Sequence, residues 1–175
     1  PCLLISNVSI LKFISSFDYF GTDTWGTTVT IIVQKGKIID MIEGYATEEE
    51  YTEIFEELKK EYDAVVCIHL SSGISGTYQG AVAAGDMVEG LQIFAFDCEL
   101  TCGVQGFYVL EAAKMALEGA NPEAILERLH EMKKSTRAYF MVDDLSNLQR
   151  GGRLSSAQAI LGSLLQVKPV LHFEN

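Results

Sequence analysis

Residues 64–79, AVVCIHLSSGISGTYQ, join an apolar run of strand length to a loop rich in serine and glycine. A strand that ends in such a loop and leads into a helix forms a pocket of backbone N–H groups. The unpaired amides and the dipole at the helix N-terminus both favour negative charge. The stretch therefore predicts a strand at 64–70, a helix at about 76–87 and an anion-binding loop between them.

The side chains of this loop are neutral. The hydroxyl groups of four residues can donate hydrogen bonds: Ser71, Ser72, Ser75 and Thr77. Gly73 and Gly76 have no side chain and let a ligand approach the backbone closely. The loop contains no lysine, which excludes the Gly-Lys-Ser/Thr phosphate loop of nucleotide-binding enzymes. Neutral donors suit a singly charged carboxylate better than a triphosphate. The alternative, left open by the residues alone, is that Ser72 or Ser75 only caps the helix.

Strands alternate with helices over residues 48–173. Helices are predicted at 48–60, 76–87, 103–118, from 122, at 145–149 and from Ser155 or Ser156, and strands at 64–70, 91–96, 138–142 and 167–173. This alternation predicts an α/β fold with a parallel sheet and helices on both faces. Ligands of such sheets bind beyond the carboxyl ends of the strands, where we expect the loop, Asp97 and Asp143.

The first 46 residues are harder to interpret. Val29–Val33 and Lys37–Met41 are typical of a hairpin, and residues 1–25 are assigned to no element. Residues 2–19 are apolar but lack the basic start of a secretory signal, and no apolar stretch is long enough to predict a transmembrane helix.

The chain carries a net charge of −11, which argues against a nucleic-acid-binding surface. The charge is unevenly spread, since the window from Lys133 to Lys168 contains six basic and two acidic residues. A cationic window on an acidic chain indicates an anionic ligand or an acidic partner, or else a solvated surface. The four cysteines, Cys2, Cys67, Cys98 and Cys102, lack metal-ligand spacing, so we expect no metal site and reduced thiols in a cytoplasmic protein.

Three motifs, in order, resemble the DegV family of bacterial fatty-acid-binding proteins, and within it the FakB-type acyl carriers. They are residues 68–79 (IHLSSGISGTYQ), 142–155 (VDDLSNLQRGGRLS) and 164–171 (LLQVKPVL). The resemblance is good over residues 48–175 and poor over residues 1–46. We interpret residues 1–175 as one DegV-like fatty-acid-binding domain whose first part matches the family poorly.

This resemblance implies a lipid-binding protein without catalytic activity or a cofactor. A long-chain fatty acid would lie in a slot between two lobes, with its carboxylate held by hydroxyl groups that include that of Ser75. A separate fatty acid kinase would convert the carboxylate to an acyl phosphate for phospholipid synthesis, in the cytoplasm and with peripheral membrane contact during acyl exchange. Ligand-binding residues would be Ser71, Ser72, Ser75, Gly76, Thr77 and Arg153, and kinase-facing residues Arg150, Arg153 and Lys168.

The chain departs from the family pattern in three places. The family's Thr-Ser-x-Pro segment, whose threonine also holds the carboxylate, is replaced by residues 43–46 (EGYA). The opening Thr-Asp-Ser-Thr strand end has only a faint counterpart in residues 22–24. The sequence stops at Asn175, where the family continues for about a hundred residues, and this implies an incomplete second lobe.

Two other functions compete with the carrier. A serine hydrolase would use Ser75 at a strand-to-helix elbow (residues 73–77), followed by Asp143 or Asp144 and then His172. The third possibility is a stabilising half of a larger protein. His69, in the strand before the loop, is interpreted as a satisfied core or edge residue rather than a ligand contact, and His130 as a surface residue.

Overall fold

The computed structural model describes residues 2–9, 28–34, 37–43, 47–141, 145, 149–152 and 170–172. The chain divides into two compact units, residues 1–136 and 137–175. Within the described residues, no helix has both the length and the apolar character needed to cross a membrane.

The first unit is a five-stranded sheet with four helices. Its strands are β1 (Cys2–Ser9), β2 (Thr28–Gln34), β3 (Lys37–Glu43), β4 (Ala64–His69) and β5 (Gln92–Asp97). Its helices are α1 (Glu48–Leu58), α2 (Thr77–Met87), α3 (Cys102–Leu117) and α4 (Pro122–Ser135). Most of these elements agree with the predicted ones to within one or two residues.

The sheet has the order β3-β2-β1-β4-β5. Strands β1, β4 and β5 run parallel, whereas β2 pairs antiparallel with both β1 and β3. The predicted hairpin is confirmed as β2–β3. The central strand β1 was not predicted, although it pairs with β4 from Cys2 opposite Ala64 to Ser6 opposite Ile68.

One face of the sheet is covered by α1 and α2. Tyr51 and Phe55 of α1 share a buried cluster with Val65 and Cys67 of β4. A capping box formed by Thr47 and Glu50 sets the start of α1. Thr47 Oγ1 accepts the Glu50 N–H at 3.2 Å, and the Glu50 carboxylate accepts the Thr47 N–H at 2.7 Å.

The opposite face is covered by α3 and α4. The ring of Phe96 in β5 lies 5.2 Å from that of Tyr108 in α3 and 5.1 Å from that of His130 in α4, between ring centroids. Asn121 caps α4 by accepting the Ala124 N–H at 2.8 Å, as its sequence predicts. Helices on both faces of a largely parallel sheet confirm the α/β fold class. His130 is exposed, as expected.

The second unit contains a separate ladder of β6 (Tyr139–Met141) and β7 (Val170–His172). The two strands are antiparallel, with Tyr139 opposite His172 and Met141 opposite Val170. The expectation that these strands continue the parallel sheet is therefore wrong. A local hydrophobic pattern identifies a strand. It does not give the direction of the strand relative to its partner, because that depends on the path of the chain between the two. The helix predicted from Ser155 or Ser156 lies outside the described residues, and so does most of the one predicted at 145–149.

Candidate functional site

The Ser/Gly loop (residues 70–76) connects β4 to α2 at the carboxyl end of the parallel strands. At the same edge His69, the last residue of β4, lies opposite Asp97, the last residue of β5. The predicted position of the loop and Asp97 is therefore confirmed. Asp143 and Asp144 lie outside the described residues.

Three hydroxyl side chains of the loop and α2 are buried, with exposed fractions of 6% for Ser71, 9% for Ser75 and 3% for Thr77. Ser75 Oγ donates to Thr77 Oγ1 at 3.3 Å and accepts a long bond of 3.4 Å from the Thr77 N–H. These two side chains, the Ser75–Thr77 pair, lie at the start of α2. Ser72 is half-buried and Gly76 exposed.

Most loop amides are bonded within the protein. The Gly73 N–H donates to Ser71 Oγ at 3.2 Å, and those of Ile74 and Ser75 donate to the Ser71 carbonyl at 3.1 Å. The Ser72 N–H donates to the Asp97 carboxylate. The loop is thus a turn closed on Ser71, and an open pocket formed by all its amides, as the sequence suggested, is not what the structure contains.

The remaining donors lie at the first turn of α2. Within the described residues no acceptor takes the N–H groups of Gly76, Tyr78 and Gln79. The N-cap residue is Gly76, so neither Ser72 nor Ser75 occupies the cap position, and Ser75 Oγ reaches the first helical N–H, that of Thr77, only through the long bond of 3.4 Å. A Cβ added at Gly76 would meet no atom within 4 Å, which leaves this side of the turn open.

The charge at the start of α2 also differs from that at the starts of α1 and α4, the two helices with side-chain caps. The first turns of α1 and α4 carry glutamates, whereas that of α2 carries no acidic residue. The partial positive charge at the start of α2 is therefore not offset by its own first turn. Together with the Ser75–Thr77 pair, this arrangement can accept an anion through neutral donors.

Three charged residues support the loop, and we call them the Asp97 brace: Asp97 at the end of β5, Glu99 in the β5–α3 connection and Lys133 in α4. The Asp97 carboxylate accepts the Ser72 N–H at 3.2 Å (Oδ1) and 3.3 Å (Oδ2), and the Glu99 N–H at 2.9 Å. Lys133 Nζ lies 2.6 Å from Glu99 Oε1 and donates to the Asp97 carbonyl at 3.0 Å. The sequence placed Asp97 at this edge but did not indicate that it holds the loop.

Residues next to Asp97 complete this support. The Ser71 N–H donates to the Leu100 carbonyl at 2.7 Å, which ties the Ser/Gly loop to the β5–α3 connection. Glu99 has a φ of 54°, in the left-handed region that few non-glycine residues adopt. The brace therefore holds a strained connection directly against the candidate site.

His69 is fully buried behind the loop. Its ring lies 5.9 Å from the rings of Tyr51 and Tyr78, and among the described residues neither ring nitrogen has a hydrogen-bond partner. Burial lowers the pKa of His69 to about 4, and the charge of Asp97 opposes that shift. The prediction of a core residue is confirmed, but the expectation of satisfied hydrogen bonds is wrong.

The Ser75 hydroxyl is not paired with a histidine in the described part of the first unit. Its partner is Thr77, and the nitrogens of His69 are unpaired. His172 belongs to β7 of the second unit. A nucleophilic serine requires a base in hydrogen-bond reach, so this geometry favours a binding role for Ser75.

The remaining predicted residues are less well described. Arg150 is exposed in the second unit, and Arg153 and Lys168 lie outside the described residues. Cys98 is buried, and burial raises the pKa of its thiol to about 12. Among the described residues, no three His, Cys, Asp or Glu side chains are grouped as metal ligands.

Comparisons with known sequences agree with the motifs. A sequence model described as an uncharacterised protein of the DegV family matches residues 45–175. Protein DegV of Bacillus subtilis is 61% identical over 127 residues, which cover 72% of this chain and 45% of that protein. A DegV domain-containing protein of Listeria innocua is 54% identical, with the same coverage. The chain thus spans less than half the length of these relatives.

Solved structures agree as well. The crystal structure of Bacillus subtilis DegV, described as a fatty acid binding protein, gives a TM-score of 0.68 at 56% identity, over 77% of this chain and 48% of that one. A Thermus thermophilus DegV family protein, described by its fatty acid binding, gives a TM-score of 0.66 at 32% identity, over 78% of this chain and 49% of that one. Motifs, family match and fold lead to one conclusion: the chain belongs to the DegV family.

Proposed function

We propose that the protein binds a long-chain fatty acid, buries its acyl chain and presents the carboxylate to a separate fatty acid kinase. The observation that carries this proposal is the buried Ser75–Thr77 pair beside the open first turn of α2, in a loop without a cation. Membership of the DegV family supports it, because relatives are described as fatty-acid-binding proteins.

Binding of a fatty acid carboxylate requires only a few polar contacts. A carboxylate can accept from the hydroxyls of Ser75 and Thr77 and from the N–H groups of Gly76 and Tyr78. Most of the binding free energy would come from the acyl chain, since each buried methylene contributes about 0.8 kcal/mol. The protein therefore needs neither a strong acid or base nor a cofactor to act as a carrier.

The kinase step accounts for the cationic window. Phosphorylation of the carboxylate adds negative charge that the neutral Ser75–Thr77 pair cannot offset. Arg150, Arg153 and Lys168 belong to the window of six basic and two acidic residues, and the forked guanidinium of arginine holds phosphate or carboxylate through two hydrogen bonds. We assign them to kinase docking and to the acyl phosphate, which would then enter phospholipid synthesis in the cytoplasm, with peripheral membrane contact during acyl exchange.

Mass spectrometry of the purified chain tests the carrier function. Solvent extraction of the denatured protein should release about one fatty acid per chain. Ser75→Ala should weaken binding of an added fatty acid about 10- to 100-fold, because one hydrogen bond to a charged group is lost. Ser135→Ala is the matched control, since Ser135 is exposed at the C-terminal end of α4 and its hydroxyl donates to the Met132 carbonyl rather than to the loop. A folded chain that neither carries nor binds a fatty acid would contradict the proposal.

The role of Arg153 is tested separately. Arg153→Ala should slow acyl phosphate formation by the kinase while bound fatty acid stays at its normal level. Loss of fatty acid at an unchanged melting temperature would instead assign Arg153 to the ligand pocket. A fluorophosphonate probe should leave Ser75 unlabelled, and labelling that disappears in Ser75→Ala would favour the hydrolase.

A further inference from the structure

We propose that Asp97 makes the head-group site selective for a singly charged carboxylate over a doubly charged phosphate head group. This inference rests on the proposed fatty-acid function and deepens it. Asp97 would act as a specificity-determining residue through its charge, without contacting the ligand.

The Asp97 carboxylate is part of the loop's own hydrogen-bond system. It accepts the Ser72 N–H at 3.2 Å, and the Ser71 carbonyl, one peptide bond away, accepts the Ser75 N–H at 3.1 Å. These two bonds and the short peptide link place the carboxylate within about 9 Å of the Ser75 amide. That separation is comparable with the Debye length at physiological salt, so the charge of Asp97 still acts there.

The charge of Asp97 is not cancelled by the rest of the brace. Lys133 forms its ion pair with Glu99, at 2.6 Å, and its bond to Asp97 goes to the backbone carbonyl. The three side chains therefore sum to one negative charge, and residues 70–79 contain no lysine or arginine. The partial positive charge of about one half at the start of α2 offsets only part of this.

A second negative charge on the ligand would therefore bind in an unfavourable field. For a head group at the Ser75 amide, two unit charges about 9 Å apart at an effective dielectric constant of about 20 repel enough to weaken binding by up to about 20-fold. A carboxylate carries one charge, whereas a phosphate monoester carries nearly two above pH 7. The same field would favour release of an acyl phosphate once it has formed.

Asp97→Asn separates charge from geometry. Its amide oxygen can still accept the Ser72 N–H, so the loop keeps a partner while the negative charge is removed. Binding of hexadecanoate, hexadecyl phosphate and neutral hexadecanol is measured at pH 8 by displacement of a fluorescent fatty acid. We expect the wild-type chain to prefer hexadecanoate to hexadecyl phosphate. In Asp97→Asn this preference should narrow about 10-fold, while hexadecanol binding stays unchanged.

Lys133→Gln is a second variant, which removes a positive charge from the brace where Asp97→Asn removes a negative one. Glutamine can still donate to the Asp97 carbonyl, but the brace then carries two negative charges, so the preference for hexadecanoate should widen. Equal losses of all three ligands in Asp97→Asn, or a preference that neither variant alters, would overturn the inference and leave fatty acid binding in place. A wild-type chain that binds none of the three ligands would instead remove the proposed function itself, and this inference with it.

Discussion

Acidification should destabilise the folded chain through His69. Burial lowers the pKa of this imidazole from 6.5 to about 4, between the rings of Tyr51 and Tyr78 and against the opposing charge of Asp97. The unfolded chain takes up a proton near pH 6.5, whereas the folded chain does so only near pH 4. The stabilisation is therefore complete above pH 6.5 and is lost as the pH falls toward 4, to a total of about 3 kcal/mol.

The effect can be measured above the isoelectric point of about 4.6, where the chain still carries a net negative charge. Between pH 7.5 and 5.5 the contribution of His69 to the free energy of unfolding should fall by about 1.4 kcal/mol. Urea unfolding followed by circular dichroism at pH 7.5, 6.5 and 5.5 measures it. Over this pH range the free energy of unfolding of His69→Phe should fall by about 1.4 kcal/mol less than that of the wild type. His172→Phe replaces an exposed histidine and should behave like the wild type.

The result that refutes this reasoning is an equal loss in wild type and His69→Phe over the same pH range. It would mean that His69 titrates normally in the folded chain and is not buried as a neutral ring. At pH 7.5, His69→Phe should cost little or no stability, because an apolar ring replaces two unpaired nitrogens.

Further substitutions test the packing and the helix starts. Gly85→Ala should lower the free energy of unfolding by about 1–3 kcal/mol, because a Cβ there would lie 2.8 Å from Ile93 Cγ1; an unchanged melting temperature would contradict the close packing of α2 on β5. Gly76→Ala should cost less than about 1 kcal/mol, since its Cβ meets open space, but should weaken fatty acid binding in the displacement assay. Asn121→Ala should cost about 1 kcal/mol by removing the α4 cap, measured by urea unfolding, and should leave fatty acid binding unchanged.

Much of the fold follows from patterns contained in single segments. The capping box at Thr47 and the Asn-Pro start of α4 are each encoded within one turn, and the structure contains the hydrogen bonds of both caps. The strand, loop and helix of residues 64–87 lie close to their predicted bounds. These features could be predicted because their stabilising contacts join residues only a few positions apart.

The β-strand pairings were less accessible. Strand β1 lies in the middle of the sheet, yet its place depends on β2 and β4, which lie tens of residues away in the chain. The antiparallel pairing of β6 with β7 has the same origin, because a short apolar run does not record the direction of its partner.

The sequence by itself determined that hydroxyl groups and a helix start follow β4, because both are properties of residues 71–77 alone. Only the tertiary structure decided which donors stay open, since it brings the Asp97 carboxylate, 25 positions along the chain, onto the Ser72 N–H. It also brought Lys133, 36 positions from Asp97, to the same connection, and within the described part of the chain it left the His69 nitrogens without partners. The physical reason is that parallel strands gather distant chain segments at one edge, and hydrogen bonds there depend on three-dimensional proximity rather than on local pattern.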